Sequence, residues 1–462
     1  MKSLIVSKFG GTSMGTLESM RQAAQIVAKK PAIRVVVVSA TSGTTNQLLK
    51  IAELAKSELQ AGLVGEIAAL KSRHRELAIG LNGNDGLMNV LSALEYEFDL
   101  CVTGLNGSGE ISAEKLDTLL AFGERWSSLL FTQALCNERG LQAEQIDARQ
   151  FLKTDSHFGK AEPNPAESAQ QCQSLRKKID QDQTVYVTQG FIGSDDQGRT
   201  TTLGRGGSDY SAALFAEALQ ASELEIWTDV AGILTMDPRV VPTAKVIREI
   251  SFAEAAEMAN FGAKVLHPAT LWPAVRARIP VFVGSTFAPD EAGTRILPES
   301  ANAAPLIRAI AVRKQQTLIT VSSLRMLNTP GFLAKMFEVL ARHRLSIDLV
   351  TTSEVSVALT VDETSLGSNG IKVKAHTEML NELRAFADVK IEEDLSLIAI
   401  IGNALDHSSG VAAKVFHAIS EVNVRLICHG ASEHNICFLV ASSEAAEVAK
   451  RLHHVCIEWT SR

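Results

Sequence analysis

The chain has 462 residues, a length that predicts two or three domains with large buried cores. Hydrophobic residues make up 46% of it, charged residues 21%, and the formal net charge of −7 argues against binding to nucleic acids or anionic membranes. Because no apolar run approaches the ~20 residues of a membrane span and six cysteines lack the C-x-x-C spacing of a zinc or disulfide site, we expect a cytoplasmic globular protein.

A glycine-rich turn follows the first predicted strand. The apolar run at residues 4–6 leads through Lys8 into Gly10 and Gly11, and a helix is predicted over residues 17–28. Glycines let backbone N–H groups approach a ligand, a helix N-terminus favours an anion, and a lysine adds a positive charge. The segment is therefore either a phosphate site or an ordinary strand-to-helix turn.

A second loop of the same kind spans residues 200–209. Its glycines precede a helix predicted over residues 210–219, and Arg205 can bind a carboxylate or phosphate through two parallel hydrogen bonds. Asp209 stands where the dinucleotide-binding pattern G-x-G-x-x-G requires a third glycine, and the Walker pattern is absent. A phosphate site here would therefore belong to a fold family other than the dinucleotide-binding and Walker families. The alternative is that Ser208 and Asp209 only cap the helix.

Short apolar strands alternate with helices through the first ~290 residues. Four of these strands end in runs of glycine, hydroxyl and acidic residues, at 39–43, 189–193, 229–232 and 284–285. Such strands are typical of an α/β sheet covered by helices on both faces, where ligands bind at the carboxyl ends of the strands. We therefore expect the site at these four strand ends, whereas residues 51–97 are predicted to be helices outside the sheet.

The composition changes to Pro, Gly, Asp, Glu and Ala after the last of these strands. This change predicts a linker at residues 291–306, between a first domain over residues 1–290 and a second region over residues 307–462.

An internal repeat lies beyond the predicted linker. Residues 331–361 align without gaps on residues 410–440, and seven of the thirty-one positions are identical. Each copy is predicted to form an amphipathic helix, a strand, a turn and a second strand, which is half of a βαββαβ unit. We expect the two repeats at about 315–390 and 395–462.

Three motifs carry a resemblance to the aspartate kinases of the amino acid kinase family. They are Lys8–Ser13 (KFGGTS), Gly204–Asp209 (GRGGSD) and Phe261–Pro268 (FGAKVLHP), in this order. The similarity covers essentially the whole chain and is closest to the family's monofunctional, lysine-sensitive members. It implies an α/β fold with an αβα sandwich catalytic domain, followed by an α+β regulatory domain of two ACT repeats, which sense small molecules.

The resemblance implies transfer of the γ-phosphoryl group of ATP, with Mg²⁺ carried by the nucleotide, to the side-chain carboxylate of L-aspartate. This is the first step of lysine, threonine and methionine biosynthesis. A carboxylate with a pKa near ~3.9 is ionised at pH 7, so the reaction needs no general base. It needs two anions held in line and their charge neutralised, which lysines and backbone N–H groups can supply.

Site residues follow from the same resemblance. Lys8 is expected to neutralise the transferring phosphoryl group, and Asp209 is the second catalytic position, whose task stays open. Substrate-binding positions map onto Thr45, Glu124, Arg205, Gly206, Gly207 and Ser208. Arg205 is expected to bind the α-carboxylate of aspartate and Glu124 its α-ammonium group. Without the family resemblance, Glu124 would be interpreted as a solvated charge on a helix. Nucleotide-binding positions map onto Lys8, Gly10, Gly11, Thr228, Asp229, Leu234, Arg239, Lys264 and Val265. No side chain is assigned to a metal.

One position departs from the family. The lysine-sensitive enzymes usually have a tyrosine in contact with the nucleotide where this chain has Leu234. A leucine can pack against adenine but cannot donate a hydrogen bond, so we expect a modest loss of nucleotide affinity, on the order of ~1 kcal/mol.

The regulatory region matches the family's binding site for free lysine. The matching positions are Met326, Thr329, Phe332, Leu333, Ser346, Ile347, Asp348, Ser353 and Glu354. Asp348 and Glu354 offer carboxylates for the ammonium groups of lysine. The second repeat has Ile427 where the first has Asp348, so lysine is expected at the first repeat only. We therefore expect feedback inhibition by L-lysine. We also expect a homodimer through the ACT region, with a tetramer as the alternative. The other interpretation of Asp348 is a surface charge that does not bind lysine.

Two further interpretations stay open on the residues alone. One is a related amino acid kinase that acts on glutamate, which Glu124 and the long ACT region disfavour. The other is a catalytically weak amino-acid sensor that keeps the fold, which the presence of Lys8, Arg205 and Asp209 disfavours.

Overall fold

Two sheets, one in each of two units, organise the chain. The structure is a computed structural model and describes residues 3–56, 60–105, 110–138, 140–262, 268–299, 305–327, 330–362 and 377–458. The first unit is formed by residues 1–233, 246–252 and 264–300, and the second by residues 234–245, 253–263 and 301–462.

The strands of the first unit lie mainly in one sheet. Within the described residues they are β1 (Ile5–Phe9), β2 (Ile33–Val38), β3 (Ala143–Gln145), β4 (Val185–Gln189), β5 (Ile192–Ser194), β6 (Thr200–Thr202), β7 (Glu223–Thr228), β8 (Glu249–Ser251), β9 (Val281–Ser285) and β10 (Thr294–Leu297). The sheet has the order β3-β4-β2-β1-β7-β9-β10-β8, and neighbours are parallel except β9 and β10. Strands β5 and β6 form a separate antiparallel pair. Because β1 lies between β2 and β7, the carboxyl ends of these three strands meet at one edge.

The described helices before residue 290 belong to the first unit, with one exception. They are α1 (Leu17–Lys29), α2 (Thr44–Lys56), α3 (Gln60–Gly80), α4 (Asp85–Thr103), α5 (Ala113–Leu120), α6 (Phe122–Cys136), α7 (Pro165–Gln181), α8 (Gly207–Ala218), α9 (Phe252–Asn260) and α10 (Pro268–Ala277), of which α9 belongs to the second unit from residue 253 onward. All six residues of β2 are buried, as a parallel sheet with helices on both faces requires. The core on which α6 packs includes Val36, Trp126 and Trp227. The predicted α/β organisation and the helices of residues 51–97 are confirmed.

The segment predicted to be a linker, residues 291–306, contains strand β10. This strand pairs with β9 and with β8. Thr294 and Ile296 are fully buried while Arg295 between them is exposed, the alternation of a half-buried strand. The Pro, Gly and Asp residues that suggested a linker form the turn before the strand. The first unit therefore extends past residue 290.

The second unit is built on an antiparallel sheet. Its described strands are β11 (Ile307–Ser322), β12 (Val350–Thr352), β13 (Ser356–Asp362), β14 (Asp388–Gly402), β15 (Leu426–His429) and β16 (Asn435–Ala441), and its remaining helices are α11 (Phe332–Arg342), α12 (Thr377–Arg384), α13 (Val411–Ala418) and α14 (Ala445–His453). The strand order is β12-β13-β11-β14-β16-β15. In the part of the chain that the structure describes, no helix is both long and apolar enough to cross a membrane.

The two predicted repeats share the central strands of this second sheet. Residues 316–322 of β11 pair with β13 and with the first part of β14, and together with α11, β12 and α12 they form a βαββαβ unit. Residues 307–313 pair instead with residues 397–402 of β14, beside β16, and so supply a strand to the second repeat. The second repeat, expected to start at 395, is thus completed by residues that precede the first. At 3.2–3.4 Å per residue, β11 and β14 are long enough to serve both repeats.

Two short segments from before residue 290 belong to the second unit, residues 234–245 and 253–263. Met236 and Val241 are buried in the core of the second repeat. The backbone N–H of Ile310 in β11 donates to the carbonyl oxygen of Thr235 over 2.9 Å. The apolar residues of the first of these segments thus extend the core of the regulatory unit.

Candidate active site

A cavity of about 570 Å³ opens at the carboxyl ends of β1, β2, β4 and β7. Three of the four predicted strand ends reach it, at 39–43, 189–193 and 229–232, whereas residues 284–285 do not line it. Its lining consists of Lys8, Gly10, Gly11, Thr12, Ser39, Ala40, Thr41, Ser42, Gly43, Thr45, Asn46, Glu124, Phe191, Gly204, Gly206, Gly207, Ser208, Asp209, Thr228 and Asp229. The two glycine-rich loops therefore meet at one cavity of the first unit.

Lys8 and Asp209 form an ion pair at this cavity. Lys8 is the fourth residue of β1, Asp209 lies in the first turn of α8, and Lys8 Nζ is 2.5 Å from Asp209 Oδ1. The side chains are only 10% and 17% exposed, so solvent screens the pair weakly. An ammonium has three N–H groups, so Lys8 can contact Asp209 and still donate to the oxygens of a ligand.

Glycine is favoured at two points around this ion pair. Gly206 precedes α8 with a φ of 77°, a left-handed conformation that a Cβ atom disfavours. A Cβ atom at Gly11 would lie 3.0 Å from the carbonyl oxygen of Ala40. The backbone of both loops can thus come close to a ligand, and the N-terminus of α8 favours an anion there.

Glu124 is the buried acid of the same cavity. It lies in α6 and is 4% exposed, and its Oε1 accepts a hydrogen bond from the backbone N–H of Ala40 at 3.0 Å. Its Oε2 has no partner among the described residues. Burial raises the pKa of Glu124 to about 8, against the smaller opposing effect of the Ala40 N–H. The interpretation of Glu124 as a solvated helix charge is wrong, because α6 is buried on almost every side at this point.

The turn after β2 supplies hydroxyl groups to the cavity. Thr45, in the first turn of α2, is partly exposed and lines it, as do Ser39 and Asn46. We assigned no role from the sequence to Thr12, Ser39, Thr41, Asn46 or Phe191. Each lies within a few residues of a predicted strand end or helix start, which was the available signal.

Some predicted residues do not line the cavity. Arg205 is exposed, is absent from the lining and has no hydrogen-bond or ionic partner in the described parts of the chain. Leu234 and Arg239 belong to the second unit, where the exposed Arg239 pairs with Asp237 at 2.6 Å. Lys264 and Val265 lie outside the described residues.

The predicted lysine-binding residues lie on the first repeat of the second unit. Asp348 pairs with Arg313 at 3.3 Å, and Ser353 bonds to Ser356 across a tight turn at 2.7 Å. The others differ in exposure: Phe332 is buried, Met326 and Ile347 are half-buried, and Leu333, Ser346 and Glu354 are exposed. Thr329 lies outside the described residues.

Carboxylates are the side chains of the cavity lining that could bind a metal ion. Within the described ranges, no group of three or more His, Cys, Asp or Glu side chains is arranged to hold an ion. Asp209 and Asp229 both line the cavity, and carboxylate oxygens are the ligands that Mg²⁺ prefers. The lining is therefore compatible with a magnesium ion that is bound mainly by the phosphates of a nucleotide.

Comparison with known proteins agrees with this geometry. Residues 3–285 match the Amino acid kinase family, and residues 319–368 and 398–455 match the ACT domain. The chain is 46% identical over 461 residues to lysine-sensitive aspartokinase 3 of Escherichia coli (strain K12), which covers 98% of this chain and 99% of that protein. It is 35% identical to chloroplastic aspartokinase 1 of Arabidopsis thaliana, covering 97% of this chain and 79% of that protein.

Two solved structures of Escherichia coli aspartokinase III are also similar, each at 45% identity. The complex with aspartate and ADP (R-state) gives a TM-score of 0.83 and covers 97% of this chain and 99% of that one. The complex with lysine and aspartate (T-state) gives a TM-score of 0.79 and covers 98% of this chain and 99% of that one.

The fold, the paired glycine loops and these matches define an ATP-dependent kinase of the amino acid kinase family with C-terminal ACT domains. Within this class, the chain belongs to the aspartokinase family.

Proposed function

We propose that this protein is a lysine-regulated aspartate kinase, which transfers the γ-phosphoryl group of ATP to the side-chain carboxylate of L-aspartate. The products are 4-phospho-L-aspartate and ADP. One observation carries the proposal: a single cavity is lined both by an ammonium group beside two glycine loops and by a buried carboxylate, one oxygen of which has no partner within the described ranges. The first suits a phosphoryl group and the second suits the amino group of an amino acid.

Lys8 is the catalytic cation of this proposal. Negative charge spreads over the phosphoryl oxygens during transfer, and the ammonium of Lys8, which lines the cavity beside two glycine loops, neutralises it. Asp209 holds Lys8 at the cavity through their ion pair. The backbone N–H group of Gly11 and the N-terminus of α8 add donors, since glycine lets the chain approach the phosphates, whereas the N–H group of Gly10 donates to the carbonyl oxygen of Trp227 at 3.0 Å.

Glu124 binds the α-ammonium group of aspartate, and Thr45 with the segment Gly206–Ser208 completes the amino-acid end. Because Arg205 is exposed and has no partner among the described residues, its guanidinium is available to bind the α-carboxylate once substrate is present. The nucleotide is assigned to Thr228, Asp229, Leu234, Arg239, Lys264 and Val265 on the family resemblance. Asp209 and Asp229 are the carboxylates that would hold Mg²⁺ on the nucleotide, where the ion would offset phosphate charge.

The substrate is tested by ADP release with purified protein, ATP and either aspartate or glutamate. We expect turnover with aspartate and little with glutamate, because the cavity must place the shorter side chain in line with the phosphoryl group. Turnover with glutamate alone would identify a different amino acid kinase, and no turnover with either would favour an amino-acid sensor.

Leu234 gives a second, smaller test of the nucleotide assignment. The variant Leu234→Tyr is expected to lower the KM for ATP by up to about fivefold, which is the size of one added hydrogen bond. An unchanged KM would remove Leu234 from the nucleotide site.

L-lysine is the proposed feedback inhibitor, bound at the first ACT repeat. The carboxylates of Asp348 and Glu354 would pair with its ammonium groups, and Ile427 at the equivalent position of the second repeat offers no charge. Inhibition by saturating lysine is expected in the wild type and is expected to be lost in Asp348→Ala, whereas Ile427→Ala retains it. Such coupling between separate sites is allosteric. The protein is further proposed to be cytoplasmic and to form a homodimer through the ACT region, which light scattering would test.

A further inference from the structure

A buried histidine supports the turn that follows β2. His74, in α3, is 0% exposed; its Nδ1 lies 2.8 Å from the carbonyl oxygen of Leu70 and its Nε2 lies 3.1 Å from the hydroxyl oxygen of Thr41. A carbonyl oxygen only accepts, so Nδ1 carries the proton. Burial lowers the pKa of His74 to about 4, so the ring is neutral near pH 7 and Nε2 accepts from Thr41.

The direction of the neighbouring hydrogen bonds follows from this tautomer. The hydroxyl of Thr41 gives its one proton to His74, so it accepts the proton of the Thr44 hydroxyl, 2.5 Å away. The oxygen of Thr44 accepts in turn from Arg73 Nη2 at 2.6 Å. The bonds therefore form one directed chain, from Arg73 through Thr44 and Thr41 to His74. Successive bonds of this kind polarise and strengthen one another.

His74 also contacts the helix that carries Glu124. Its ring packs on the indole of Trp126 in α6, with ring centroids 4.9 Å apart. Trp126 lies two residues after Glu124, and Glu124 accepts from Ala40, the residue before Thr41. One imidazole thus contacts both elements of the amino-acid end of the cavity.

Arg73 places a positive charge directly behind the same turn. Its Nη1 lies 3.4 Å from the carbonyl oxygen of Ser42, and no described carboxylate forms an ion pair with it. An arginine keeps its charge at any working pH. Its field at the turn therefore favours an anionic ligand in the cavity.

We propose that Arg73 and His74 are positioning residues for the amino-acid substrate, which hold the Thr41–Thr45 turn and α6 in register with each other. Neither lines the cavity, so both act through Thr41, Thr44 and Trp126. The inference rests on the proposed function, because it takes the end of the cavity at Glu124 and Thr45 as the aspartate site.

The test compares KM values for aspartate and for ATP in His74→Leu, His74→Gln and Thr44→Val. His74→Leu removes the acceptor for Thr41, and Thr44→Val breaks the chain with an almost isosteric side chain. We expect both to raise the KM for aspartate about tenfold, because a displaced binding group weakens the substrate contact, while the KM for ATP stays within about twofold. A glutamine amide oxygen can accept from Thr41, so His74→Gln should restore most of the affinity.

Two variants of Arg73 separate the effect of its charge from the effect of its hydrogen-bond geometry. Arg73→Lys keeps the charge but loses the planar donor pair, whereas Arg73→Gln loses the charge. If the charge acts at a distance, only Arg73→Gln makes the KM for aspartate less sensitive to added salt. Arg21→Gln is the matched control, since Arg21 is exposed, donates to the carbonyl oxygen of Gly80 at the C-terminal end of α3 and should leave both KM values unchanged.

The outcomes distinguish the two proposals. Suppose that the wild type is active with aspartate. An unchanged KM for aspartate in Thr44→Val, or equal increases in the KM values for aspartate and ATP, would then overturn the positioning role and leave the kinase assignment intact. If His74→Leu fails to fold, Thr44→Val and His74→Gln decide the question. Wild-type protein without ADP release in the presence of aspartate would overturn the proposed function and this inference together.

Discussion

The two ends of the cavity handle buried charge in opposite ways. At one end, Lys8 and Asp209 neutralise each other at 2.5 Å before any ligand arrives. At the other end, Glu124 is almost completely buried and has one N–H donor but no cation among the described residues. A buried carboxylate without a counter-charge is costly, and protein sequences rarely keep one without a reason.

The difference separates the tasks of the two ends. The phosphoryl end is preorganised, so its charges need little rearrangement during transfer, and its residues should affect kcat. The amino-acid end is completed by the ammonium group of the substrate, so its residues should affect the KM for aspartate. Each variant below tests whether this division holds.

Removal of the cation at the phosphoryl end should have the largest effect. Lys8→Met keeps much of the side-chain length and removes the charge, and kcat is expected to fall by about a thousandfold or more, because the phosphoryl charge loses its main protein cation. The KM for aspartate should change little. A large rise in that KM with kcat preserved would place Lys8 at the amino-acid end instead.

Neutralising the acid at the other end should give the converse result. Glu124→Gln keeps the shape and removes the charge, and we expect the KM for aspartate to rise about a hundredfold, as for loss of one buried charge pair with the ligand. The KM for ATP should stay near the wild-type value. The same variant should unfold no more easily than wild type at pH 8, because the buried charge is gone; a strongly lowered Tm would show that Glu124 is structural.

The pH dependence of aspartate binding gives a sharper test. The pKa of Glu124 is about 8 without substrate, and an adjacent ammonium group favours the ionised form. Below pH 8 the substrate must displace a proton, so the KM for aspartate should fall by roughly tenfold for each unit of rising pH and level off above pH 8. The profile of Glu124→Gln should be flat, and a flat wild-type profile would contradict the unpaired state of the carboxyl.

The raised pKa of Glu124 also determines whether the folded protein gains or loses stability as the pH rises. In the free protein, the raised pKa means that folded Glu124 keeps a proton that the unfolded chain has already lost. Its contribution therefore destabilises the folded protein progressively as pH rises from about 4.5 to 8. Saturating aspartate should reduce this loss, which thermal unfolding at several pH values would show.

Thr45 should give the smallest effect in this comparison. Its hydroxyl lines the cavity, and Thr45→Val removes one hydrogen bond to a ligand without changing the charge. The KM for aspartate is expected to rise about fivefold, near ~1 kcal/mol. Unchanged kinetics would restrict the amino-acid end to Glu124 and its immediate neighbours.

The sequence predicted the parts of this site that depend on local pattern. Lys8, the glycine turns and three strand ends follow from short apolar strands interrupted by glycine and hydroxyl residues. The burial of Glu124 was not predictable from the same evidence, because α6 is enclosed on nearly all sides by elements remote in sequence. The contact between His74 and Thr41 joins residues thirty-three positions apart. It depends on how α3 packs, and no sequence motif predicts that packing.

Prediction of the fold from the sequence has the same limit, because contacts between distant segments are missed. The repeat was visible because each copy keeps its own helix and strands in order. The strand that residues 307–313 give to the second repeat was not visible, since pairing between distant segments leaves no local signal. Strand β10 was hidden by the turn residues just before it.

The shared strands β11 and β14 also affect how the regulatory region unfolds. Each of the two repeats uses part of the pair β11–β14, so neither repeat can be cut out along the chain without leaving the other an open strand edge. A protein cut between the repeats should not yield two soluble halves. The two repeats should instead unfold in a single step, as one cooperative unit.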